Sequence, residues 1–389
     1  MKNIVGKPVS GENFFPRNAV IEKIYRKLDG GDNLFMSAPR RVGKTSIMYW
    51  LKDNPRKNYA FIYISTEAVD NSEDFFKKLF DELLESDAVK GLIKVSEKSK
   101  SVFENITKHL KNIKIYGVEV AFNNGEKTGK YSHEFKKLME KLDTEGVHIV
   151  AMIDEFPSTI ENIRNAKGNV EAINFLQLNR ELRQIPNASI QFIYTGSIGL
   201  PIVVSRIGVP AAINDLNTIE VIPLSQDEGT ALSVALLESN KVPFKIEAVT
   251  YLLERLKWLM PFFIQLAVQE LIDEFDNTKK EIDKLAVDRA FNKICNRRNN
   301  IFLESYHTRL QTAFVNGDYV LALSFLAKIA KSNSVSSRAL FQNAQSEDDK
   351  KQYRNILRTL EFDGYIFNSN ESYSFNSPIL QEWWKLYIR

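Results

Sequence analysis

Short apolar runs alternate with helical patterns over the first 225 residues of the chain. Four of the runs predict strands, at residues 33–37, 59–65, 147–153 and 189–195. Each run has a mostly apolar interior, which is typical of strands in a parallel sheet that is covered on both faces. The pattern therefore predicts an α/β domain over residues 1–225, with helices on both faces of its sheet.

The pattern changes in three further places. A Lys-rich stretch at about 93–135 contains a hairpin-like run at 113–120 and a turn at 123–125, and we interpret it as an insertion. Residues 226–300 have a helical period and form a predicted all-α domain. Residues 301–389 predict three helices followed by two short strands around a polar turn, which is the order of a winged helix–turn–helix. The helices are predicted at 319–330, 336–342 and 349–362.

Composition excludes some classes of function. The 389 residues are 44% hydrophobic and 26% charged, as in ordinary globular proteins, and the net charge of +3 does not by itself indicate a nucleic-acid partner. A single cysteine, Cys295, cannot form an internal disulfide or a thiolate zinc site. We find neither a signal peptide nor an apolar run near the ~18 residues of a membrane span. We therefore expect a cytoplasmic protein without a membrane partner.

Residues 38–45 read A-P-R-R-V-G-K-T and match a phosphate-binding loop (P-loop, or Walker A motif), except that Ala38 replaces the first glycine. Backbone N–H groups of such a loop meet the β-phosphate at a helix N-terminus. Gly43 allows close approach, Lys44 bridges the β- and γ-phosphates, and Thr45 offers its hydroxyl to Mg²⁺. The predicted ligand is ATP with Mg²⁺: no Asn-Lys-x-Asp guanine-reading motif is present, and the family resemblance described below also implies ATP. The predicted contacts in this segment are Pro39, Arg40, Arg41, Val42, Gly43, Lys44, Thr45 and Ser46.

The third predicted strand ends in two carboxylates, Asp154 and Glu155. An apolar strand with this ending is a Walker B motif, in which Asp154 would hold Mg²⁺ through water and Glu155 would polarise the attacking water. Glu155 therefore indicates hydrolysis as well as binding. The alternative is a strand that ends in a solvated acidic turn.

Polar and basic residues after the fourth strand are further candidates. Thr195 or Ser197 would hydrogen-bond the γ-phosphate or the attacking water, unless they only form a strand-ending turn. Arg206 is a candidate arginine finger that reaches the γ-phosphate of a neighbouring subunit, and the alternative is a surface arginine. Arg180 and Arg183 are rival candidates. A finger acting between subunits would imply a homo-oligomer that assembles on ATP binding.

Together these motifs resemble the archaeal-type ATPases, a branch of the AAA+ and STAND group of P-loop NTPases, over nearly the whole chain. Besides both Walker motifs, residues 13–18 (N-F-F-P-R-N) are similar to the "F-x-G-R" box of that family, and residues 195–197 and 222–225 match its sensor strand and the segment leading to its lid. The resemblance implies a P-loop core, a helical lid and a winged helix. It also implies that Phe15 and Arg17 lie over the adenine and ribose.

Two features depart from that family. Its lid usually carries Gly-x-Pro, whereas this chain has Trp258-Leu259-Met260-Pro261 at that place. Pro261 is thus a candidate nucleotide contact, or it only interrupts a helix. No added effector domain is visible after the winged helix.

The third helix of the predicted winged helix carries Lys350, Arg354 and Arg358 at intervals of four, on one face. This basic stripe suits phosphate contacts with DNA or a protein partner. Residues 301–389 contain ten Lys and Arg and nine Asp and Glu, a net charge of +1, which is low for a DNA-binding domain.

Three functions follow as hypotheses. The first is a molecular switch in which the nucleotide state repositions the lid and winged helix to control an unidentified protein partner. The second is a DNA-binding ATPase similar to replication initiators. The third is a scaffold that binds ATP or ADP with negligible turnover.

Overall fold

The computed structural model describes residues 1–110, 130–296, 300–314, 317–344 and 346–388. The predicted hairpin at 113–120 and turn at 123–125 lie outside these residues. Contacts divide the chain into two compact units. The sheet unit comprises Pro16–Ser37 and Lys44–Val221, and the helical unit comprises Met1–Phe15, Ala38–Gly43 and Ile222–Arg389. The division into three domains stays a prediction.

The sheet unit contains a five-stranded parallel sheet in the order β2-β3-β4-β1-β5. Its strands are β1 (Asn33–Ser37), β2 (Tyr59–Ser65), β3 (His148–Asp154), β4 (Ile190–Thr195) and β5 (Leu216–Glu220). In a parallel sheet all strands end at the same edge, where ligands of open α/β sheets bind. The ends of β1, β3 and β4 therefore meet at one edge of this sheet.

Four of the five strands coincide with the apolar runs in the sequence to within one residue at either end. The fifth, β5, was not predicted. It pairs only with β1 at the edge of the sheet, and Ile219 is its one buried residue. An edge strand of this kind carries no continuous apolar run, so its sequence gives no strand signal.

Nine helices surround this sheet among the described residues. They are α1 (Asn18–Asp29), α2 (Lys44–Asp53), α3 (Ser72–Glu85), α4 (Asp87–Val95), α5 (Glu97–His109), α6 (Tyr131–Lys141), α7 (Phe156–Lys167), α8 (Asn169–Arg183) and α9 (Leu200–Ile207). The end of α4 and the whole of α5 lie in the first part of the stretch at about 93–135 that we interpret as an insertion. One aromatic core is formed by helices of this unit. Its fully buried members include Phe75 of α3, Phe135 of α6 and Phe175 of α8.

The first five α-helices of the helical unit are α10 (Gln226–Ser239), α11 (Ile246–Leu256), α12 (Pro261–Thr278), α13 (Lys284–Asn296) and α14 (Ile301–Ala313). Ser225 and Glu228 form a capping box that fixes the start of α10. Pro261 is the first residue of α12, where a helix needs no backbone N–H donor. Its backbone role is therefore to begin a helix rather than to break one.

The C-terminal part of this unit has the element order of a winged helix. It consists of α15 (Gly317–Ser332), β6 (Val335–Ser336), α16 (Ser337–Phe341), α17 (Glu347–Phe362), β7 (Ile366–Ser369), β8 (Ser372–Phe375) and α18 (Pro378–Tyr387). The strands form an antiparallel sheet in the order β6-β8-β7. Trp383 and Trp384 of α18 are fully buried in this core. No described helix combines the length and the apolar character that crossing a membrane requires.

Candidate nucleotide site

The chain passes from β1 to α2 through the phosphate loop, residues 38–43. Gly43 has a φ of 101° and Arg41 a φ of 66°. A positive φ is easy for glycine and unfavourable for arginine, so the glycine is required at position 43 by the backbone rather than by space. Ala38 is only 4% exposed, which is why a small side chain suffices where the motif usually has glycine. Lys44 begins α2 and is buried.

Thr45 and Asp154, predicted as magnesium ligands from separate motifs, lie together in the sheet unit. The hydroxyl of Thr45 donates to Asp154 Oδ2 at 2.8 Å, and the hydroxyl of Tyr63 donates to the same oxygen at 3.0 Å. Burial raises the pKa of the Asp154 carboxyl; the hydrogen bond from Thr45 opposes this shift and the charge of Glu155 adds to it. A hydroxyl and a carboxylate in contact form an oxygen donor set of the kind that Mg²⁺ prefers. These residues therefore fit the predicted ion.

The register of β2 and β3 places Asp154. Ser65 and Asp154 are paired at the ends of the two strands. One residue further, the hydroxyl of Thr66 donates to the backbone carbonyl of Asp154 at 2.9 Å. This backbone contact fixes the end of β3, so that the carboxylate is presented at the sheet edge.

Glu155 follows directly, with a φ of 61°, and caps the start of α7. Its Oε2 accepts hydrogen bonds from the backbone N–H of Ser197 at 3.1 Å and from the Ser197 hydroxyl at 2.8 Å, and a third from the Ser158 hydroxyl at 2.9 Å. A Cβ at Gly196 would lie 2.5 Å from Pro157 Cδ. The glycine thus allows the loop after β4 to approach α7 and to hold the carboxylate.

Thr195 is the last residue of β4 and is fully buried. Its register partner on β1 is Met36, at the strand end that leads into the phosphate loop. No hydrogen-bond partner for its Oγ1 exists among the described residues. A buried hydroxyl with unmet hydrogen-bonding capacity is costly unless a ligand or water meets it. This orphaned hydroxyl at the sheet edge fits the role that we predicted from the sequence.

The three candidate arginines differ in their surroundings. Arg183 has a fully buried side chain that forms a bidentate ion pair with Asp215, with distances of 2.7 and 2.9 Å. This internal pair excludes the rival assignment of Arg183 as a finger. Arg206 lies on α9 with its side chain 39% exposed and pairs with Glu161 at 3.1 Å. Arg180 is half-buried on α8. The assignment of Arg206 as a finger stays a prediction.

The remaining predicted contacts are placed as follows. Phe15 is half-buried in the helical unit, and Arg17 is a buried residue immediately before α1 in the sheet unit. Lys350, Arg354 and Arg358 are all exposed on α17, whereas its opposite face is buried. The nucleotide and partner contacts of these residues stay predictions.

Sequence reasoning missed several residues of the site. Tyr63 lies two residues before the end of β2, and Ser158 lies in the first turn of α7. A hydroxyl-bearing residue close to the end of a neighbouring strand was the available signal for Tyr63. The residues that hold the side chain of Arg41 were also missed, and they gave no local signal because they lie more than 200 positions further along the chain.

Comparisons with known proteins agree with this architecture. No protein-family model matches the chain, and no curated protein matches it. The Walker-type ATPase PABY2304 of Pyrococcus abyssi is 15% identical, with a TM-score of 0.63 and coverage of 98% of this chain and 99% of that one. The Aeropyrum pernix ORC2 protein, solved as ADPNP-ADP complexes, is 12% identical, with a TM-score of 0.56 and coverage of 96% and 95%.

At these identities the likeness concerns the fold, and at that level it confirms the resemblance seen in the sequence. The predicted fold class is confirmed as well. The chain has the fold of a P-loop NTPase of the AAA+ type, with a five-stranded parallel sheet flanked by helices and a helical C-terminal region whose element order is consistent with a lid and a winged helix.

Proposed function

We propose that the chain is an ATPase of the archaeal-type AAA+/STAND group, which binds ATP with Mg²⁺ and hydrolyses it slowly. The observation that carries this proposal is the 2.8 Å hydrogen bond between Thr45 and Asp154. It joins the Walker A and Walker B motifs, which are 109 positions apart in the chain. The two solved relatives support it, since one is described as a Walker-type ATPase and the other as complexes with ADPNP and ADP.

Thr45 and Asp154 would hold Mg²⁺, which would supply positive charge against the phosphates. Lys44 and the N–H groups at the start of α2 bind phosphate oxygens, where the helix dipole favours an anion. Glu155 orients the attacking water and accepts its proton. Ser197 and Ser158 fix the Glu155 carboxylate, because both donate hydrogen bonds to its Oε2.

Binding and turnover of ATP test this proposal. We expect Lys44→Ala to weaken ATP binding and Glu155→Gln to leave the ATP dissociation constant within about threefold. Loss of a general base lowers turnover by roughly 10²–10⁴-fold, so phosphate release by Glu155→Gln should fall in that range. Glu140→Gln, at an exposed position on α6, is the matched control and should behave as the wild type.

Absence of ATP binding by the wild-type protein would refute the proposal. Binding without turnover would favour the scaffold function instead. Undiminished turnover by Glu155→Gln would remove Glu155 from its assigned role while leaving the binding site in place.

The nucleotide state would act as a switch by repositioning the lid and winged helix relative to a partner surface. The test is capture of partners by the Glu155→Gln protein loaded with ATP, compared with the same protein loaded with ADP. Recovery of one protein only in the ATP state supports the switch, whereas equal recovery in both states contradicts it.

DNA binding is the second candidate function, favoured by the exposure of Lys350, Arg354 and Arg358 on one face of α17. Each phosphate contact that is lost should lower the slope of log affinity against log salt by about 1. We expect Arg354→Glu and Arg358→Glu to weaken duplex binding and reduce that slope. Lys351→Glu is the control, because Lys351 lies off this stripe beside Asp348. Equal effects of all three changes would contradict a specific DNA face.

A further inference from the structure

The phosphate loop, residues 38–43, belongs to the helical unit, and the side chain of Arg41 packs among the helices of that unit. The guanidinium of Arg41 lies 4.1 Å from the ring centroid of Phe262, 5.4 Å from that of Phe302 and 5.8 Å from that of Tyr306. We call these three rings the aromatic box. Arg41 Nη2 also donates to the hydroxyl of Ser305 at 2.7 Å. Phe262 belongs to α12 and the other partners belong to α14, so one loop residue contacts two helices.

The aromatic box is a packed structure. Phe262 is 2% exposed and Tyr306 is 3% exposed. Phe262 and Phe302 meet edge to face, with their centroids 5.6 Å apart. On the other side of Phe302, a Cβ at Gly6 would lie 2.6 Å from Phe302 Cε1, so only a glycine leaves room for this ring. The position of the Arg41 guanidinium is therefore closely defined.

The same helix, α14, is joined to the winged helix by buried polar contacts. Arg309 of α14 makes a bidentate pair with Asp363, the residue that ends α17, at 3.0 and 3.1 Å. The hydroxyl of Tyr365 donates to the backbone carbonyl of Tyr306 at 2.6 Å. Gly364 stands between Asp363 and Tyr365 in the chain. A Cβ at this position would lie 3.0 Å from Pro39 Cβ of the phosphate loop. A chain of contacts thus runs from the loop through α14 to the end of α17.

The backbone of Arg41 needs this anchor. Its φ of 66° lies in the left-handed region, which is unfavourable for a residue with a Cβ. Among the described residues, no carboxylate lies within ion-pair distance of its guanidinium, and burial lowers the pKa of this group. Aromatic faces and one hydroxyl hold the cation instead. The conformation of the loop therefore depends on the contacts that the side chain makes in the aromatic box.

We propose that Arg41 is the positioning residue through which the phosphate loop and helices α12 and α14 form one coupled equilibrium. Phosphate bound by the loop stabilises the conformation that places Arg41 in the aromatic box, and an occupied box stabilises the loop for phosphate. By linkage, the factor by which the box improves nucleotide binding equals the factor by which nucleotide stabilises the box. This inference rests on the proposed nucleotide binding and assigns the route by which its occupancy reaches the winged helix.

Arginine is specifically suited to this role. A planar guanidinium stacks on an aromatic face while it donates in its own plane, whereas the ammonium of lysine is a compact, strongly hydrated charge. Arg41→Lys should therefore fail to restore the coupling although it keeps the charge.

The experiment measures the dissociation constant of Mg-ATP and the hydrogen exchange of α14 with and without Mg-ATP. In the wild type we expect Mg-ATP to slow exchange in α14. Ser305→Ala should weaken ATP binding by about three- to tenfold and reduce this protection, since it removes one hydrogen bond to a charged group. Arg41→Met and Arg41→Lys should weaken binding further and abolish the protection. Thr308→Ala is the matched control, because this exposed hydroxyl on α14 donates to the carbonyl of Glu304 in its own helix, as the Ser305 hydroxyl does to that of Phe302.

Three outcomes would overturn the inference. If the wild type binds Mg-ATP without any change of exchange in α14, the coupling does not exist. If Ser305→Ala and Thr308→Ala have equal effects, the contact with Arg41 is not the cause. If the wild type does not bind Mg-ATP at all, the proposed function fails and the inference fails with it.

Discussion

Two buried threonines in the sheet unit differ in how their hydroxyls are bonded, and exchanging each for valine gives a sharp test of the candidate site. Thr195 at the end of β4 has no hydrogen-bond partner for Oγ1 among the described residues. The Thr159 hydroxyl on α7 donates its single proton to Thr66, whose hydroxyl oxygen lies 2.7 Å away and whose backbone carbonyl oxygen lies 2.8 Å away. Both threonines are fully buried, and valine has nearly the same shape.

The expected changes in stability have opposite signs. An unsatisfied buried hydroxyl costs roughly 1–3 kcal/mol, so Thr195→Val should raise the free energy of unfolding of the sheet unit by about 1–2 kcal/mol. Thr159→Val removes the donor that faces the buried oxygens of Thr66, and it should lower that free energy by about 1–3 kcal/mol. For a unit of this size, 1 kcal/mol corresponds to about 2–4 °C in Tm.

Hydrolysis separates function from stability. If the Thr195 hydroxyl bonds the γ-phosphate or the attacking water, Thr195→Val should lower ATP turnover by about 10- to 100-fold, as loss of a single transition-state hydrogen bond does. The protein would thus become more stable and less active. Calorimetric melting and phosphate release measure the two quantities. A Thr195→Val protein that melts earlier, as Thr159→Val should, would refute the assignment of an orphaned hydroxyl at this position.

Three further predictions concern side chains that differ in how deeply the structure buries them. Arg183→Met should destabilise the sheet unit by about 1–3 kcal/mol in urea unfolding, because it removes the bidentate partner of the Asp215 carboxylate, which is 19% exposed; a loss below about 1 kcal/mol would contradict a stabilising role of this pair. Arg206→Ala should change stability by less than about 1 kcal/mol, since its pair with Glu161 is partly exposed, so a large loss of turnover measured beside unchanged melting would support the finger role. Burial raises the pKa of the Cys295 thiol to about 12. At pH 8 this lowers the thiolate fraction by about three orders of magnitude, so iodoacetamide should label Cys295 slowly in the native protein and rapidly in urea; fast native labelling would contradict the burial.

The local sequence contains enough information for the main elements of the fold. Apolar runs predict β1 to β4 because a strand covered on both faces must be apolar at nearly every position. The edge strand β5 is not predictable in this way, since its side chains are mostly accessible and alternate irregularly. Helix α17 was predictable because Tyr353, Ile356 and Leu357 lie on one helical face, and the structure buries all three.

For the candidate site, the sequence identifies residue types and the tertiary structure identifies partners. Gly43, Lys44 and Thr45 are recognisable because the phosphate loop is a continuous segment with fixed spacing. The meeting of Tyr63 with Asp154 depends on the order of strands in the sheet. Long crossover connections join these strands. The residues next to Tyr63 and Asp154 in the sequence therefore do not indicate which strands are neighbours in the sheet.

The arginines show most clearly that the sequence does not identify the contact partners of a side chain. Arg183 and Arg206 are equally basic in the sequence, but only the folded chain places one in a buried pair with Asp215 and the other on the surface. Arg41 was expected to bind nucleotide as part of a motif, yet its side chain lies in an aromatic box built from residues more than 200 positions away. The sequence by itself determined the phosphate loop, the acidic strand and most of the helices and strands, because these depend on local spacing and periodicity. Only the tertiary structure decided which charged side chains form ion pairs and which described hydroxyls lack a hydrogen-bond partner. Both properties depend on distances between residues that are far apart in the sequence.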